Sequence, residues 1–318
     1  MDENVICTFL VVGDMHLKTN NVKETKILMD GIFENISEYE PNVIVFLGDT
    51  LDSFERIQMT LQTTAMKFFK ECASIIYKNS NFSPEIYLLI GNHDRKHNQV
   101  FLTENHPFYG LKGTMKNLNI VDHPKDLYVG GKRIVFCPYV PEDRFMEALD
   151  KLKKPIKDKH IDILFAHQDF DKIKIGKEVK LVISGHIHDM KKDGKVFYPG
   201  TPYQHNFGES TNKGIYIFEL VDNGSLNKCK IPLNIPIKKT IEVTEEELEE
   251  LDTTKLKNTR VILKGSVVNK KRIEELKEKG NKLVVIKDVY KTDMKNFDDI
   301  INDLMKNDLK LQEIFKSL

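Results

Sequence analysis

Short apolar runs recur through the first two thirds of the chain, and most stop abruptly at a glycine, an aspartate or a histidine: residues 7–12, 43–47, 86–90, 161–165 and 181–184. Runs of this length, bounded by turn-forming residues, predict buried strands whose C-terminal ends open into polar loops. Helical stretches separate the early runs. From Ile57 through Leu61, Ala65, Phe68, Cys72, Ile75 and Ile76, apolar residues return at spacings of three and four, the period of an amphipathic helix. Further on the pattern shifts to shorter strands joined by turns, at 127–129, 133–137, 196–198 and 214–220. Two facing sheets with helices outside accommodate both halves, so the expected class is an α/β fold, a β-sandwich flanked by helices in αββα order.

Two prolines interrupt residues 231–239, and beyond them the pattern reads strand, helix, strand, helix, strand at 240–243, 245–251, 260–263, 270–279 and 282–286. This divides the chain into a large domain, 1–235, and a small α/β domain, 236–318. Helical spacing of Phe297, Ile300, Ile301, Leu304, Leu309, Ile314 and Phe315 closes the chain, with an apolar face suited to packing on the small domain. Internal repeats and low-complexity segments are absent.

At 318 residues the chain is long enough to bury a substantial core. No apolar run approaches the roughly 20 residues needed to span a membrane, and the first apolar stretch follows two acidic residues instead of a basic leader. Neither a membrane span nor a signal peptide is expected. Four cysteines, Cys7, Cys72, Cys137 and Cys229, are widely spaced in apolar surroundings without a CxxC pair, which fits a reducing, intracellular compartment and argues against a thiolate zinc site. Lysine plus arginine equals aspartate plus glutamate at 48 each, so the net charge offers no global attraction to a polyanion. A nucleic-acid substrate would have to meet local basic patches, at 151–159, Lys191 and Lys192, or 269–272, or bound cations. Taken singly, each patch reads more simply as a solvated face.

The chemistry is carried by five segments at or near the ends of apolar runs: Gly13-Asp14-Met15-His16, Gly48-Asp49-Thr50-Leu51-Asp52, Gly91-Asn92-His93-Asp94, Ala166-His167 and Gly185-His186-Ile187-His188. One Gly-Asp is ordinarily a turn and one His-x-His ordinarily a surface or core pair; five in succession are not coincidence. Asp14 and His16, like His186 and His188, lie two apart, so in extended backbone both members face one cavity. A carboxylate such as Asp49 has two oxygens and can bridge two cations, while imidazole and amide ligands complete each shell without added charge. Asp, Asn and His donors without Cys favour Mn, Fe or Zn over Ca. Two ions about 4 Å apart polarise phosphate oxygens and lower the pKa of a water enough to make a nucleophile. His93 directly follows the candidate ligand Asn92, where it can stabilise the transition state and protonate the leaving oxygen.

In order and spacing these residues resemble the calcineurin-like metallophosphoesterase superfamily, whose motifs D-x-H, GD-x-x-D, GNH-D/E, H and GH-x-H run here from Asp14 to His188. The resemblance implies that Asp14, His16, Asp49 and His188 bind one divalent ion and Asp49, Asn92, His167 and His186 the other, with His93 as the catalytic histidine. Mn2+ is the leading candidate, with Mg2+, Fe2+ and Zn2+ as alternatives. Within the superfamily the chain is similar to the SbcD group of DNA repair and recombination nucleases. That likeness rests on Tyr198-Pro199-Gly200-Thr201-Pro202, then Phe207-Gly208-Glu209, then Lys213-Gly214. The protein Ser/Thr phosphatases of the superfamily are disfavoured, since Ser53-Phe54 stands where they carry Arg-Gly and the third motif is GNHD instead of GNHE. Asp52 resembles the bacterial and phage forms, where other relatives have His. The likeness further implies DNA as substrate, a DNA-contacting cap in the second domain, an SbcC-type ATPase of the SMC class as partner and possible homodimerisation. Only residues 297–318 remain beyond the cap for an ATPase contact. The alternatives are a phosphodiesterase or phosphatase acting on nucleotides or phosphoproteins, and a scaffold of the same fold that docks a partner without catalysis.

Overall fold

The computed structural model describes residues 4–52, 56–77, 82–152, 160–252, 258–264 and 282–286. The chain divides into two compact units, Met1–Lys238 and Lys239–Leu318.

In the first unit β1 (Val5–Val12), α1 (Val22–Tyr39), β2 (Val43–Phe46), α2 (Met59–Ser74), β3 (Glu85–Leu89) and β4 (Leu118–Val121) follow one another, so that β1 to β4 run parallel in one sheet. β11 (Ile215–Val221) and β12 (Leu226–Ile231) extend that sheet antiparallel to β1, giving the order β12-β11-β1-β2-β3-β4. The second sheet is built from β5 (Lys125–Val129), β6 (Lys132–Cys137), β7 (Ile161–His167), β8 (Val179–Gly185), β9 (Lys191–Asp193) and β10 (Val196–Tyr198), in the order β5-β6-β7-β8-β10-β9. A short helix, α3 (Phe145–Leu149), precedes β7.

Strand alternation sets the layers. Phe9 and Val11 of β1, Val43 and Val45 of β2, and Tyr87 and Leu89 of β3 face Phe136, Phe165 and Ile183 of the second sheet across a shared core. Their neighbours Leu10, Val12, Ile44, Phe46, Ile86 and Leu88 point the other way, onto Leu28, Ile32 and Ile36 of α1 and Phe68, Phe69 and Cys72 of α2. On the far side Val135, Cys137, Leu164 and Ala166 pack against Phe145, Ala148 and Leu149 of α3. Strands buried on both faces read as continuous apolar runs, which is why they were visible in the sequence. The αββα order expected from the pattern is the observed one. Two local expectations fail: α2 begins at Met59 and ends at Ser74, leaving Ile57 and Ile76 exposed outside it. Cys229 is exposed on the edge strand β12, whereas Cys7, Cys72 and Cys137 are buried, so only three of the four thiols sit in apolar surroundings.

In the second unit β13 (Lys239–Val243), β14 (Thr259–Lys264) and β15 (Lys282–Ile286) form a parallel sheet in that order. A helix, α4 (Glu245–Glu250), follows β13 and is started by a capping box: Thr244 Oγ1 accepts from the Glu247 amide, while the Glu247 carboxylate accepts from the Thr244 amide. The expected helices at 270–279 and 297–318, the basic run at 269–272 and most of the run at 151–159 lie outside the described residues. No described helix is long and apolar enough to cross a membrane.

Candidate metal centre

All five motif segments meet at one edge of the sandwich, at the C-terminal ends of the parallel strands. Asp14 and His16 follow β1, Asp49 follows β2, Asn92 and His93 follow β3, His167 ends β7, and His186 and His188 follow β8. The two sheets are laced together there: His167 Nδ1 donates to the Leu47 carbonyl at 2.7 Å, and the His186 amide donates to Asp14 Oδ2 at 2.9 Å. Bringing so many side chains together demands unusual backbone. His16, Asp49 and His186 adopt positive φ of 43°, 46° and 78°, a region non-glycine residues enter at a cost, which is offset where surrounding structure holds them. Gly91 is dictated by close approach, since a Cβ there would lie 2.2 Å from Asp49 Oδ1. The same holds at Gly48, with φ of 107° and a Cβ position 2.6 Å from His167 Nδ1.

Among the described residues, three groups of side chains offer donor atoms close enough to hold a cation: Asp14, His16 and His188; Asp49, His167 and His186; and His16, Asp49 and His93. In the first, His16 Nε2 and His188 Nε2 stand 3.1 Å apart. Two ring nitrogens this close can share a proton or turn their lone pairs to a common cation. Asp14 Oδ1 is buried and accepts no hydrogen bond, an arrangement costly for a carboxylate unless a cation compensates it. In the second group Asn92 Oδ1 lies 2.9 Å from both His167 Nε2 and His186 Nδ1, and Asp49 Oδ2 lies 3.2 Å from His167 Nε2. Asp49 Oδ2 is also 3.7 Å from His16 Nε2, so this one carboxylate faces both groups. The donor set of nitrogen and oxygen without thiolate fits divalent transition ions.

The structure brings Asp14, His16, Asp49, Asn92, His93, His167, His186 and His188 together in one cluster. His93 Nδ1 lies 2.8 Å from Asp52 Oδ1, which His16 Nδ1 also faces at 3.4 Å. Burial works against a charge on His93, but the Asp52 and Asp49 carboxylates prevail and raise its pKa above the ordinary imidazole value. Asp52 is held well below the usual carboxylate range, by His16 first and then by His93 and Lys18. Burial likewise opposes a charge on His167, yet Asp49 and Asp14 push it up to about 9. Burial and the neighbouring His167 bring His186 down to about 4. Asp94 is no ligand. It accepts from the amides of Thr50, Leu51 and Gly91 at 3.1, 2.9 and 3.2 Å, tying the second and third motifs together. Burial, aided by Asp49, pushes its pKa up to about 6.

Two neighbours of the cluster, Tyr139 and Lys18, carry no signal that sequence reading could use. The Tyr139 ring lies 5.9 Å from that of His186 and 6.2 Å from that of His167. Lys18 sits 2.5 Å from Asp52 Oδ2. The stretch from Tyr198 to Lys213 backs the first group directly: Thr201 N donates to the His188 carbonyl at 2.9 Å, and Lys213 Nζ donates to it at 2.7 Å. His205 Nε2 lies 3.2 Å from the Asp14 carbonyl, its ring 5.0 Å from that of His16. Glu209 accepts from the amides of His205 and Asn206 at 3.0 and 3.1 Å and faces His188 Nδ1 at 3.9 Å.

Residues 7–190 match the family described as Calcineurin-like phosphoesterase. The chain is 32% identical over 288 residues to "Putative phosphoesterase 244L" of Invertebrate iridescent virus 6, covering 85% of this chain and 98% of that protein. It is 30% identical over 239 residues to "Putative phosphoesterase 078R" of Invertebrate iridescent virus 3, covering 71% and 66% of the two chains. A more distant likeness, 24% over 231 residues and 66% of this chain against 64% of the other, is to "Exonuclease subunit 1" of Enterobacteria phage T4. The family is one that uses divalent metals to hydrolyse phosphoesters, and the donor groups described above are suited to holding them. With its fold, its motif order and the length of these matches in agreement, the chain belongs to the calcineurin-like metallophosphoesterases.

Proposed function

We propose that this phosphoesterase is a two-metal DNA nuclease that hydrolyses phosphodiester bonds during double-strand-break repair or recombination. The observation that carries the two-metal reading is Asp49, a single buried carboxylate facing both donor groups. Asp14, His16, Asp49 and His188 hold one ion in this reading, and Asp49, Asn92, His167 and His186 the other. Divalent cations there, Mn2+ by preference, supply Lewis acidity toward the phosphate and make water nucleophilic at neutral pH.

His93 then serves as the proton donor to the leaving oxygen. Asp52 Oδ1 stands 2.8 Å from its Nδ1, which leaves Nε2 as the atom to meet the leaving group. The third donor group, containing His16, Asp49 and His93, would instead make His93 a ligand. The Asp52 contact favours the proton-donor role, because a carboxylate beside Nδ1 raises the ring's pKa against the effect of burial and so favours its protonated form.

Two observations support DNA as the substrate. The Tyr198-to-Lys213 stretch that resembles SbcD packs against the candidate ligands instead of lying elsewhere on the surface. One relative is also named as an exonuclease subunit. The test is cleavage of DNA of defined form in the presence of Mn2+ or Mg2+, with a small diester such as bis-p-nitrophenyl phosphate beside it. Hydrolysis of the small diester with DNA left intact would keep the phosphoesterase and reassign its substrate to nucleotides or phosphoproteins.

A further inference from the structure

We infer that Lys18 is a positioning residue for the proton donor, acting on His93 through Asp52; this rests on the proposed role of His93. The two oxygens of Asp52 are divided between partners. Oδ1 lies 2.8 Å from His93 Nδ1 and 3.4 Å from His16 Nδ1, while Oδ2 lies 2.5 Å from Lys18 Nζ. With one oxygen paired to Lys18, rotation of the carboxylate about its terminal bond is restrained, so the ammonium sets the angle at which the other oxygen meets His93.

The pairing is built into the backbone, which sets it apart from a casual surface ion pair. Leu17 and Leu51 form an isolated parallel bridge, in which the Leu17 amide donates to the Thr50 carbonyl at 2.8 Å and the Asp52 amide to the Leu17 carbonyl at 3.4 Å. Lys18 and Asp52, the residues next along each strand of the bridge, are thereby brought side by side. The Lys18 amide also donates to Asn21 Oδ1 at 2.8 Å, and the Asn21 side-chain amide donates to the His16 carbonyl at 2.9 Å and to the Tyr203 hydroxyl at 2.7 Å. The first-motif loop is thus clamped on both sides of the lysine. Lys18 and Asp52 side chains are 32% and 23% exposed, so the pair sits at the mouth of the site, where an exposed ion pair on its own contributes little to stability. Its value lies in orientation, where small misplacement of a reacting group costs much in rate.

The experiment compares Lys18→Gln, Lys18→Arg, Asp52→Asn and the double variant Lys18→Gln/Asp52→Asn, using Mn2+-dependent hydrolysis of bis-p-nitrophenyl phosphate, metal content by mass spectrometry and the ring 15N spectrum of His93. The expected result for Lys18→Gln is a fall in kcat on the order of tenfold with KM and metal content unchanged, and a shifted His93 spectrum. Lys18→Arg restores both, and the lysine change adds nothing once Asp52 is an asparagine. A rise in KM that persists in the Asp52→Asn background would overturn the inference and make Lys18 a direct phosphate contact. Unaltered kinetics and an unaltered His93 spectrum in Lys18→Gln would overturn it in favour of a surface pair. A wild-type protein that hydrolyses no diester under these conditions would count against the enzymatic reading, while the His93 spectra would still decide whether Lys18 orients the dyad.

Discussion

Removing His93 separates its two possible places in the site, since the same ring that meets Asp52 at 2.8 Å also belongs to a donor group with His16 and Asp49. As a proton donor outside both metal shells it contributes to the transition state alone. His93→Ala should then lower kcat by about a hundredfold to ten-thousandfold, equivalent to about 3–5 kcal/mol of transition-state stabilisation. Each shell keeps its full set of donors: Asp14, His16, Asp49 and His188 on one side, and Asp49, Asn92, His167 and His186 on the other. Metal content and affinity should therefore stay within about twofold of wild type, far less than loss of a direct ligand would cost. Asp49→Ala is the control, because it strips a donor from both groups at once and should lose most bound metal together with activity. Metal content by mass spectrometry after gel filtration, Mn2+ titration by calorimetry and diester hydrolysis measure all three quantities. Equal metal loss in His93→Ala and Asp49→Ala would refute the assignment and make His93 a ligand.

Gly91→Ala should lose metal and about 2–3 kcal/mol of stability in urea unfolding, because the added methyl would lie 2.2 Å from Asp49 Oδ1 and 2.3 Å from its amide nitrogen; unchanged metal content would show that the loop yields freely. Metal binding should release protons at pH 7, since neighbouring Asp49 and Asp14 raise metal-free His167 to about 9 against the effect of burial, and a ligating imidazole must shed its proton. Apparent affinity then rises with pH until the titration passes that value, as calorimetry in buffers of different ionisation enthalpy would report; binding without proton release would contradict it. Asp122, which follows β4, is buried at the hub of a separate network, with His106 Nε2 at 3.1 Å, Lys112 Nζ at 2.7 Å and His123 Nδ1 at 3.2 Å. Burial alone would raise its pKa, but these partners hold it below the ordinary value. Its contribution to stability is therefore present above the unfolded carboxylate pKa of about 4 and lost as pH falls through the lower folded value. Asp122→Asn should cost about 2–3 kcal/mol at pH 7, with the difference from wild type shrinking below pH 4; a penalty independent of pH would contradict the ionised network.

The layers and the ligand cluster were legible in the sequence for one physical reason. Strands buried on both faces are apolar along those faces, as in residues 43–46 and 163–166, and parallel strands place their C-terminal loops on one edge. Polar residues that end such runs are therefore neighbours in space despite lying far apart in sequence, as His16 and His188 do at a separation of 172 positions. What escaped was whatever depends on pairing between loops. Lys18 meets Asp52 only because Leu17 and Leu51 form a bridge that no periodicity announces. Asp94, the last residue of the third motif, is a clamp on the backbone amides of Thr50, Leu51 and Gly91, a role that no spacing announces. Ile57 and Ile76 satisfied the helix period yet lie beyond the ends of α2, because apolar spacing alone carries no stop signal.

The most direct measurement is cleavage of linear and hairpin DNA by the purified protein with Mn2+, Mg2+ or EDTA, beside bis-p-nitrophenyl phosphate and with His93→Ala as control. Degradation of DNA that requires Mn2+ or Mg2+, stops with EDTA and disappears in His93→Ala is the expected result. DNA left intact under conditions that hydrolyse the small diester would contradict the nuclease, and failure to hydrolyse either substrate with metal bound would contradict catalysis at this site altogether.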